Sequence, residues 1–545
     1  MKDELKQIVE KASGFLNPVI EQPKDKSNGD YSTNVALVLA KKQNKNPLEV
    51  AKEISGKIND NIIERIEVAG PGFINFYLSK DFFINELKKV NKNFGRSNKL
   101  KNKKIVIEYT DPNILKEFHI GHLMSNVIGE SISRALEFEG AKINRLCYQS
   151  DVGISIAKAI YGKLKNPSYS WQESYVFGNK QYEESQDAKK EITNLNKNIF
   201  ERNDKSVNKL YDEGKKWSID YFDLIYKKLG TKFNEIVFES QVADFGKKIV
   251  EKNIGNVFEK GDKGAIVFKG ENKGLHTRVF INSENLPTYE AKELGLANFK
   301  YKKYKYDKSI VVTGKEVNDY FKVVMSAMGQ IFPELTKKTY HIGHGMMRLP
   351  EGKMSSRTGN VITFEYLLNQ VESLVKEKIK ERDLSQKEKD EITQQVAIGA
   401  LKYSILKQSI GSDIIYDFEK SISFEGDSGP YLQYSYVRAN SVLEKAKKER
   451  IKASFKKISS EVGSLEKLMV SFPEVIEEAG KMYEPHIIAT YLIELAREFN
   501  NYYSKNKIVD KNDAFSPYKI ALTQAFSIII KNGLWLLGIE APSHM

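Results

Sequence analysis

Hydrophobic and polar residues follow different periods in different regions of this chain. Near the N-terminus, residues 46–58 have the spacing of a helix, and 65–79 alternate in a way that predicts two short strands. The charged stretch 88–104 then predicts a linker or exposed turn. Residues 1–95 are therefore expected to form a small α+β domain.

The pattern after residue 100 predicts a parallel sheet. Residues 104–110 are a β-branched run typical of a buried strand, and 121–139 have helical spacing. Residues 143–149 predict a second strand, and a strand–helix–strand order favours a parallel α/β sheet. Further strand patterns follow later in the chain, at 264–270, 277–283 and 308–315.

Two regions are expected to be helical. Residues 161–230 are polar with interspersed aromatic residues, and we interpret them as a helical insertion in the α/β domain. From Phe364 onward the spacing of apolar residues predicts helices almost throughout. The amphipathic segments are 364–381, 388–408, 429–449, 485–505 and 517–536. The last apolar stretch is interrupted at 531–533, which predicts two buried helix segments and no membrane span.

Composition narrows the class of protein. A length of 545 residues suggests three or four domains, each able to bury a core. The net charge of +13 favours a polyanionic partner such as nucleic acid, although a lysine-rich composition alone could produce it. Cys147 is the single cysteine, so no disulfide can form within the chain and a cysteine-rich zinc site is excluded. These features suit a reducing cytosol.

The tetrapeptide His-Ile-Gly-His (HIGH) occurs twice, and its surroundings differ. The first copy, 119–122, stands between the predicted strand and helix, where free N–H groups at a helix start attract phosphate. His119 and His122 could donate hydrogen bonds to phosphate oxygens as charge develops. Gly121 removes a side chain where a base or ribose would approach. Two surface histidines at a helix start are the alternative interpretation.

The second copy, 341–344, lacks this context. Pro350 follows closely, so a long helix cannot begin there, and a strand end is expected. The loop after it contains Lys353, two serines and Arg357, which together could clamp a phosphate. A polar surface loop is the commoner outcome for such a sequence.

Together, HIGH followed by Lys-Met-Ser (KMS) at 353–355 resembles the paired signatures of class I aminoacyl-tRNA synthetases. The surrounding residues resemble the arginyl-tRNA synthetase family in particular. These segments are "EYTDPNILKEFHIGHL", "GDYSTNVALVLAKK", "VAGPGFINFYLS", "GALKYSILKQS", "GPYLQYSYVRANSVL" and "LLGIEAPSHM". The resemblance covers nearly the whole chain.

The resemblance implies a multidomain α/β fold with a Rossmann-type parallel-sheet catalytic domain. It implies an N-terminal tRNA-elbow-binding domain at 1–95 and a catalytic domain at 100–370 that holds the helical insertion 161–230. A helical connector at 371–425 and a helical anticodon-binding domain at 426–545 complete the expected organisation.

The implied reaction activates L-arginine with ATP and transfers it to the 3′ end of tRNA(Arg), with activation dependent on tRNA. ATP with Mg²⁺ is the expected substrate complex, with no zinc and no organic prosthetic group. Such a reaction depends on positioning and charge stabilisation. A cytoplasmic monomer with no membrane partner is expected.

By the same resemblance, the catalytic residues are Lys116, His119, His122 and Lys353. The ATP contacts are His119, Gly121, His122, Met346, Lys353, Ser355 and Ser356. Ser356 stands where the general class has a second lysine, and Lys116 is expected to supply that charge; Arg357 is the alternative.

The resemblance places the arginine pocket at Glu108, Asn113, Tyr289 and Glu293. A carboxylate pair suits a guanidinium because it accepts two parallel hydrogen bonds. Position 293 is usually Asp in the family, and Val317 stands where the family often has Gln. Both departures leave the pocket geometry open.

For tRNA, the resemblance implies contacts by Phe73, Asn75, Tyr434, Tyr503 and Met545, with Tyr502 as an alternative to Tyr503. Three other functions stay open from the residues. They are a different class I synthetase (cysteinyl or glutaminyl), a non-catalytic tRNA-binding paralogue, and nucleotidyl transfer to a small molecule. Arginine-dependent ATP–pyrophosphate exchange separates these possibilities.

Overall fold

The computed structural model describes residues 1–350, 362–458 and 461–545. They fall into two compact units. The first comprises Met1–Gly95, Arg438–Val475 and Glu494–Ile530. The second comprises Arg96–Val437, Ile476–Ile493 and Lys531–Met545.

The N-terminal part of the first unit contains a small antiparallel sheet covered by helices. Its elements are α1 (Lys2–Ser13), β1 (Tyr31–Thr33), α2 (Val35–Gln43), α3 (Pro47–Gly56), β2 (Ile63–Ala69), β3 (Phe73–Leu78) and α4 (Lys80–Lys88). The strand order is β1-β3-β2. Asn46 caps α3 by accepting the Leu48 N–H at 2.9 Å, and Pro47 occupies the first helical position. The predicted helix and strand pair are confirmed.

The second unit begins with a strand–helix–strand repeat and a helical insertion. The repeat is β4 (Lys104–Tyr109), α5 (Ile120–Phe138) and β5 (Lys142–Gln149). The insertion is α6 (Ile154–Lys165), α7 (Trp171–Glu184), α8 (Gln186–Glu201) and α9 (Lys205–Leu229). The predicted strand–helix–strand order and the predicted helical content of 161–230 are confirmed, although the helices start at Ile154 rather than near residue 161.

The chain then returns to the sheet. The elements that follow are β6 (Glu235–Phe238), α10 (Glu239–Lys252), β7 (Glu259–Lys260), β8 (Ile266–Phe268), β9 (Arg278–Ile281), α11 (Tyr289–Tyr304), β10 (Lys308–Gly314), α12 (Asn318–Ile331), α13 (Pro333–Lys338), β11 (Thr339–His344) and β12 (Met347–Arg348). Strands β7, β8 and β9 form a separate antiparallel sheet, so two of the predicted strands do not extend the parallel one.

The central sheet is parallel, with order β11-β10-β4-β5-β6. From β4 the chain winds outward through β5 and β6, and later continues on the other side through β10 and β11. The direction changes between β4 and β10. In parallel α/β sheets, ligands bind beyond the carboxyl ends of the strands at such a switch point. The predicted Rossmann-type arrangement is confirmed.

The rest of the chain is predominantly helical. Its elements are α14 (Phe364–Ile379), α15 (Gln386–Leu406), β13 (Ile414–Ile415), α16 (Phe418–Ser421), α17 (Gly429–Lys448), α18 (Ser464–Met482), α19 (Pro485–Lys505) and α20 (Ser516–Leu536). The five predicted helices are confirmed, and α18 was not predicted.

One prediction in this region is wrong. The final apolar stretch is a single helix, α20, that continues through residues 531–533 without a break. Gly533 was interpreted as an interruption, but it is a packing position: a Cβ there would lie 2.3 Å from Leu492 Cδ2. Across the described residues, no helix combines the length and the apolar character needed to cross a membrane.

Candidate active site

The loop that follows β4 has an unusual backbone. Thr110, Asp111 and Leu115 have φ values of 84°, 43° and 62°, in the left-handed region that residues with a Cβ rarely adopt. Neighbouring hydrogen bonds hold this conformation, because Asp111 Oδ1 accepts the Tyr148 N–H at 2.7 Å. The Ile114 N–H also donates to the Ser150 carbonyl at 3.0 Å. The loop is thus strained and tied to the end of β5, which is typical of a functional loop.

The first HIGH begins α5. His119 is the N-cap, and its Nδ1 accepts the Gly121 N–H at 3.1 Å. His122 Nδ1 in turn accepts the His119 N–H at 3.3 Å. The two imidazole rings stack with centroids 3.6 Å apart. The helix start therefore fixes both rings as one unit.

Both imidazoles are neutral at pH 7. Burial, with the nearby Lys116 charge, lowers the pKa of His119 to about 4. Burial and the charges of His119 and Lys116 hold the pKa of His122 well below its ordinary value. Because each Nδ1 accepts a backbone N–H, each ring must carry its proton on Nε2. The pair is arranged to donate two hydrogen bonds.

Gly121 lies against the ring of His119. A Cβ at this position would lie 3.0 Å from His119 Cε1, which is closer than most real Cβ contacts. The missing side chain therefore makes room for the His119 ring. The contact of Gly121 with adenosine stays a prediction.

Lys116 precedes HIGH on the strained loop. Its Nζ lies 3.9 Å from the centroid of the Tyr175 ring, on α7. Burial, with a smaller effect of the nearby Lys158 charge, lowers the pKa of Lys116 to about 8. In the described part of the chain, no carboxylate forms an ion pair with this ammonium group.

The second HIGH ends β11, as predicted. His341 Nε2 lies 2.7 Å from Thr313 Oγ1, and its ring stacks on Phe321 at 3.8 Å. His344 is buried, and its Nδ1 donates to the Gly345 carbonyl at 2.7 Å. These side chains are engaged within the sheet and its covering helix.

Part of the predicted ATP site adjoins a segment that is not described. Met346 is 42% exposed, and its N–H donates to Asp413 Oδ1 at 2.8 Å. Lys353, Ser355, Ser356 and Arg357 lie outside the described residues. After this segment the chain passes beside the first HIGH: the Ile120 N–H donates to the Ile362 carbonyl at 3.1 Å, and the Phe364 N–H to the Phe118 carbonyl at 2.8 Å.

A cluster of carboxylates lies at the end of β4 and along α11. Glu108 is 1% exposed, and its Oε2 lies 2.6 Å from Lys300 Nζ. Burial and the nearby charge of Glu108 raise the pKa of Glu293 to about 8. Burial and the same charge raise the pKa of Asp111 well above its usual range. Glu108 and Glu293 are therefore close enough for their charges to repel each other, and the charge of Lys300 partly offsets this repulsion.

The other two predicted pocket residues lie near the same edge. Asn113 forms a bridge with Ser150 at the end of β5. Tyr289 begins α11 and is 48% exposed. Lys292 Nζ is 4.2 Å from the Tyr289 ring centroid. Val317 ends the 3₁₀ turn that follows β10, and α12 starts at the next residue.

Sequence reasoning missed several members of the cluster. Glu239 and Lys292 form a buried ion pair, and the charge of Glu239 contributes to the raised pKa of Glu293. Lys300 and Asp111 were also not predicted. Glu239 directly follows β6 and Asp111 lies two residues beyond β4, so their position at strand ends was an available signal. Lys292 and Lys300 lie within α11, and no such sequence signal marked them.

The predicted tRNA contacts are divided between the two units. Phe73 is 40% exposed, whereas Asn75 is only 3% exposed, so the amide is not presented beside the aromatic ring. Tyr503 is 40% exposed, and Arg438 Cζ lies 5.1 Å from its ring centroid. These three belong to the first unit. Tyr434 and Met545 belong to the second, where the Tyr434 ring is 6.3 Å edge-on from that of Phe424.

No group of three or more His, Cys, Asp or Glu among the described residues could hold a metal ion. The described residues offer neutral N–H donors, the ammonium group of Lys116, and a buried acidic cluster that includes Lys292 and Lys300, at the carboxyl edge of a parallel sheet. It can bind an anion on one side and a cation on the other.

Comparison with known families agrees with this geometry. Residues 85–418 match the family described as tRNA synthetases class I (R), catalytic domain. Residues 432–545 match the DALR anticodon binding domain, and residues 1–78 match the arginyl tRNA synthetase N terminal domain. The sheet and its HIGH helix therefore form a class I tRNA synthetase catalytic domain.

Whole-chain comparisons narrow the class. An arginine–tRNA ligase of Clostridium acetobutylicum is 32% identical over 562 aligned positions, covering 100% of this chain and 99% of that protein. One of Limosilactobacillus reuteri is 32% identical, covering 96% of this chain and 95% of that protein. The arginyl-tRNA synthetase structure of Thermus thermophilus has the same fold, with a TM-score of 0.83 at 22% identity and full coverage of both chains. The chain belongs to the arginyl-tRNA synthetase family.

Proposed function

We propose that this protein activates L-arginine with ATP to arginyl-adenylate and then transfers arginine to the 3′ end of tRNA(Arg). The observation that carries the proposal is the buried Glu108–Glu293 pair beside the HIGH helix, in a chain that matches arginine–tRNA ligases along its whole length. The pair suits a guanidinium, and the HIGH imidazoles suit a polyphosphate.

The substrate on the phosphate side is ATP with Mg²⁺. His119 and His122 donate Nε2–H hydrogen bonds to the phosphates as charge develops at the α-phosphorus, and Lys116 supplies positive charge. Lys353 holds the leaving pyrophosphate, with Ser355, Ser356 and Met346 also contacting ATP. The backbone contacts of residues 362 and 364 with residues 118 and 120 support this assignment, because they return the chain after Lys353 to the HIGH helix.

On the amino-acid side, the guanidinium pairs with Glu108 and Glu293. Lys300 Nζ donates to Glu108 Oε2, and the proposal places the guanidinium at Oε1 of the same carboxylate. Asn113 and Tyr289 complete the pocket. The charges of Lys300 and Lys292 oppose the rise in the pKa of Glu293, and the guanidinium adds a further positive charge to this acidic cluster.

The tRNA engages more than one domain. We assign elbow binding to residues 1–95 through Phe73, and anticodon binding to residues 426–545 through Tyr434, Tyr503 and Met545. Asn75 is a weaker candidate because its side chain is covered. Residues 100–370 are the catalytic domain and 371–425 the connector. The proposed enzyme is a cytoplasmic monomer whose activation step requires tRNA.

Arginine-dependent ATP–pyrophosphate exchange, with and without tRNA(Arg), tests this function. Exchange should require arginine and rise strongly when tRNA is added. Lysine, canavanine and citrulline serve as competitors: canavanine retains a cationic group and should compete, whereas neutral citrulline should not. Citrulline accepted as well as arginine contradicts the carboxylate pocket. Tight tRNA binding without exchange would instead indicate a non-catalytic paralogue.

A further inference from the structure

Residues 115–118, which directly precede HIGH, form hydrogen bonds with helices that lie outside the central sheet. The Leu115 N–H donates to Ser218 Oγ at 2.8 Å, and the Phe118 N–H donates to the Tyr221 hydroxyl at 3.1 Å. Between them, the Glu117 N–H donates to Gln172 Oε1 at 3.3 Å. Ser218 and Tyr221 belong to α9, and Gln172 belongs to α7. Three of the four backbone N–H groups at 115–118 are thus bound by the helical insertion.

The fourth residue of this segment, Lys116, is held through its side chain by the same insertion. Its ammonium group lies over the face of Tyr175, three residues after Gln172 on α7. A ring face attracts a cation but leaves its charge intact. A carboxylate in the same place would neutralise that charge and compete with an incoming phosphate. Tyr175 therefore suits a lysine that must remain available to an anion.

We infer that the helical insertion, 154–229, positions Lys116 for the reaction, with Tyr175 as the positioning residue for its ammonium group. This inference rests on the proposed function, in which Lys116 acts on the phosphates. The loop cannot hold Lys116 by itself, because Leu115 has a φ of 62° and the segment 110–118 contains no helix or strand. The insertion is thereby a functional part of the active site.

The surroundings of the two side chains agree with this role. Lys158 on α6 is close enough to lower the pKa of Lys116, and its Nζ lies 2.9 Å from Asn179 Oδ1 on α7. Helices α6 and α7 pack closely: a Cβ at Gly178 would lie 1.9 Å from the Lys158 carbonyl oxygen. Tyr175 is itself 7% exposed, so the ring cannot move freely away from Lys116.

A ring-retaining and a ring-deleting variant test the inference. Tyr175→Phe keeps the aromatic face and should leave the kcat of arginine activation within about twofold of wild type. Tyr175→Leu removes it and should lower kcat about tenfold, with the KM for arginine within about twofold. The alkaline limb of the rate profile should also move to lower pH in Tyr175→Leu, because the lost ring face favoured the charged lysine.

Phe177→Leu is a matched control on the same helix. Its ring lies against Tyr161 and Tyr169, at 6.3 and 5.9 Å between centroids, and not against Lys116. This variant should lose a similar amount of thermal stability and keep the wild-type kcat and pH profile. Equal losses of kcat in Phe177→Leu and Tyr175→Leu would overturn the inference, since they would indicate general damage to the insertion.

The double variant separates the inference from the function on which it rests. In a Lys116→Ala background, Tyr175→Leu should change kcat by less than about twofold, because the ring acts through the lysine. A further tenfold loss in that background overturns the positioning role. If Lys116→Ala alone has the wild-type rate, the phosphate role of Lys116 fails. If the wild type shows no arginine-dependent exchange, the proposed function itself fails.

Discussion

The two HIGH sequences have the same four residues and opposite structures. Residues 119–122 begin α5, whereas residues 341–344 end β11. Both copies lie at the carboxyl edge of the same parallel sheet. The first copy follows strand β4, and the second copy is the end of strand β11. The tetrapeptide therefore has no structure of its own, and the flanking residues determine whether it forms a helix start or a strand end.

The hydrogen bonds of the imidazoles show the consequence. At the first HIGH, both Nδ1 atoms accept backbone N–H groups at the start of α5, so each neutral ring carries its proton on Nε2. At the second, His341 Nε2 contacts Thr313, and His344 Nε2 is buried without a hydrogen-bond partner among the described residues. We propose that the first pair donates to a ligand, whereas the ring of His341 packs on Phe321.

Matched alanine substitutions give the largest expected difference. His119→Ala removes a preorganised donor and should slow arginine activation by about 10²-fold or more. His341→Ala removes a stacking and hydrogen-bonding contact, so its kcat should stay within about threefold while the free energy of unfolding falls by about 1–2 kcal/mol. Pyrophosphate exchange and urea unfolding of both variants measure this. Similar losses of rate in His119→Ala and His341→Ala would contradict the proposed difference in function between the two copies.

The strands β4 and β11, which lead to the two copies, carry different residues at the same register position of the sheet. Glu108 of β4 and His341 of β11 both lie in register with Val311 of β10. Only the Glu108 side adjoins the acidic cluster, where burial and Glu108 raise the pKa of Glu293 to about 8. A bound guanidinium favours the ionised carboxylate and so should release a proton.

Arginine affinity should consequently rise about 25-fold between pH 6.5 and 8.5, and level off above the pKa of Glu293. The sign follows because the protonated carboxyl, which predominates below that pKa, cannot form the ion pair. Calorimetry in two buffers of different ionisation enthalpy measures the proton release. Glu293→Gln should abolish the pH dependence, and His341→Gln should leave it unchanged. An affinity that is flat with pH in the wild type would contradict this account.

Much of this comparison could be predicted from local sequence. The apolar strand, the helical spacing from residue 121 and the nearby Pro350 were sufficient to distinguish a helix start from a strand end. The helix boundaries in the last third were predicted for the same reason, since amphipathic periodicity is a local signal. The uninterrupted α20 was missed because Gly533 packs against Leu492, which is 41 positions away and supplies no local signal.

The details of the site depended on contacts between distant residues. Lys300 pairs with Glu108 across 192 positions, and Ser218 binds Leu115 across 103. No periodicity or motif encodes such a pairing. Gly121 illustrates the same limit, because the ring that a Cβ there would approach belongs to His119, whose side-chain direction the sequence does not specify.

The central glycines give a smaller contrast. A Cβ at Gly121 would press on the His119 ring, so Gly121→Ala should lower kcat about fivefold with little loss of stability. A Cβ at Gly343 would lie 2.1 Å from Asn318 Oδ1, at the start of α12. Gly343→Ala should therefore cost about 1 kcal/mol of stability and leave kcat nearly unchanged. Exchange rates and urea midpoints of both variants measure these effects. A loss of stability in Gly121→Ala together with a loss of kcat in Gly343→Ala would contradict the packing argument.

The smallest expected effect concerns what the two copies share. Burial lowers the pKa of both His119 and His341 to about 4, so each imidazole is neutral in the folded protein at pH values above about 4. The unfolded chain binds protons below the ordinary histidine pKa near 6.5, so stability is complete above that pH and declines as the pH falls toward 4. His341→Gln removes one titrating group and should reduce the loss of stability between pH 7.5 and 5 by about 1 kcal/mol, without slowing catalysis. Urea unfolding at the two pH values measures this, and an unchanged loss would show that His341 does not contribute to acid sensitivity.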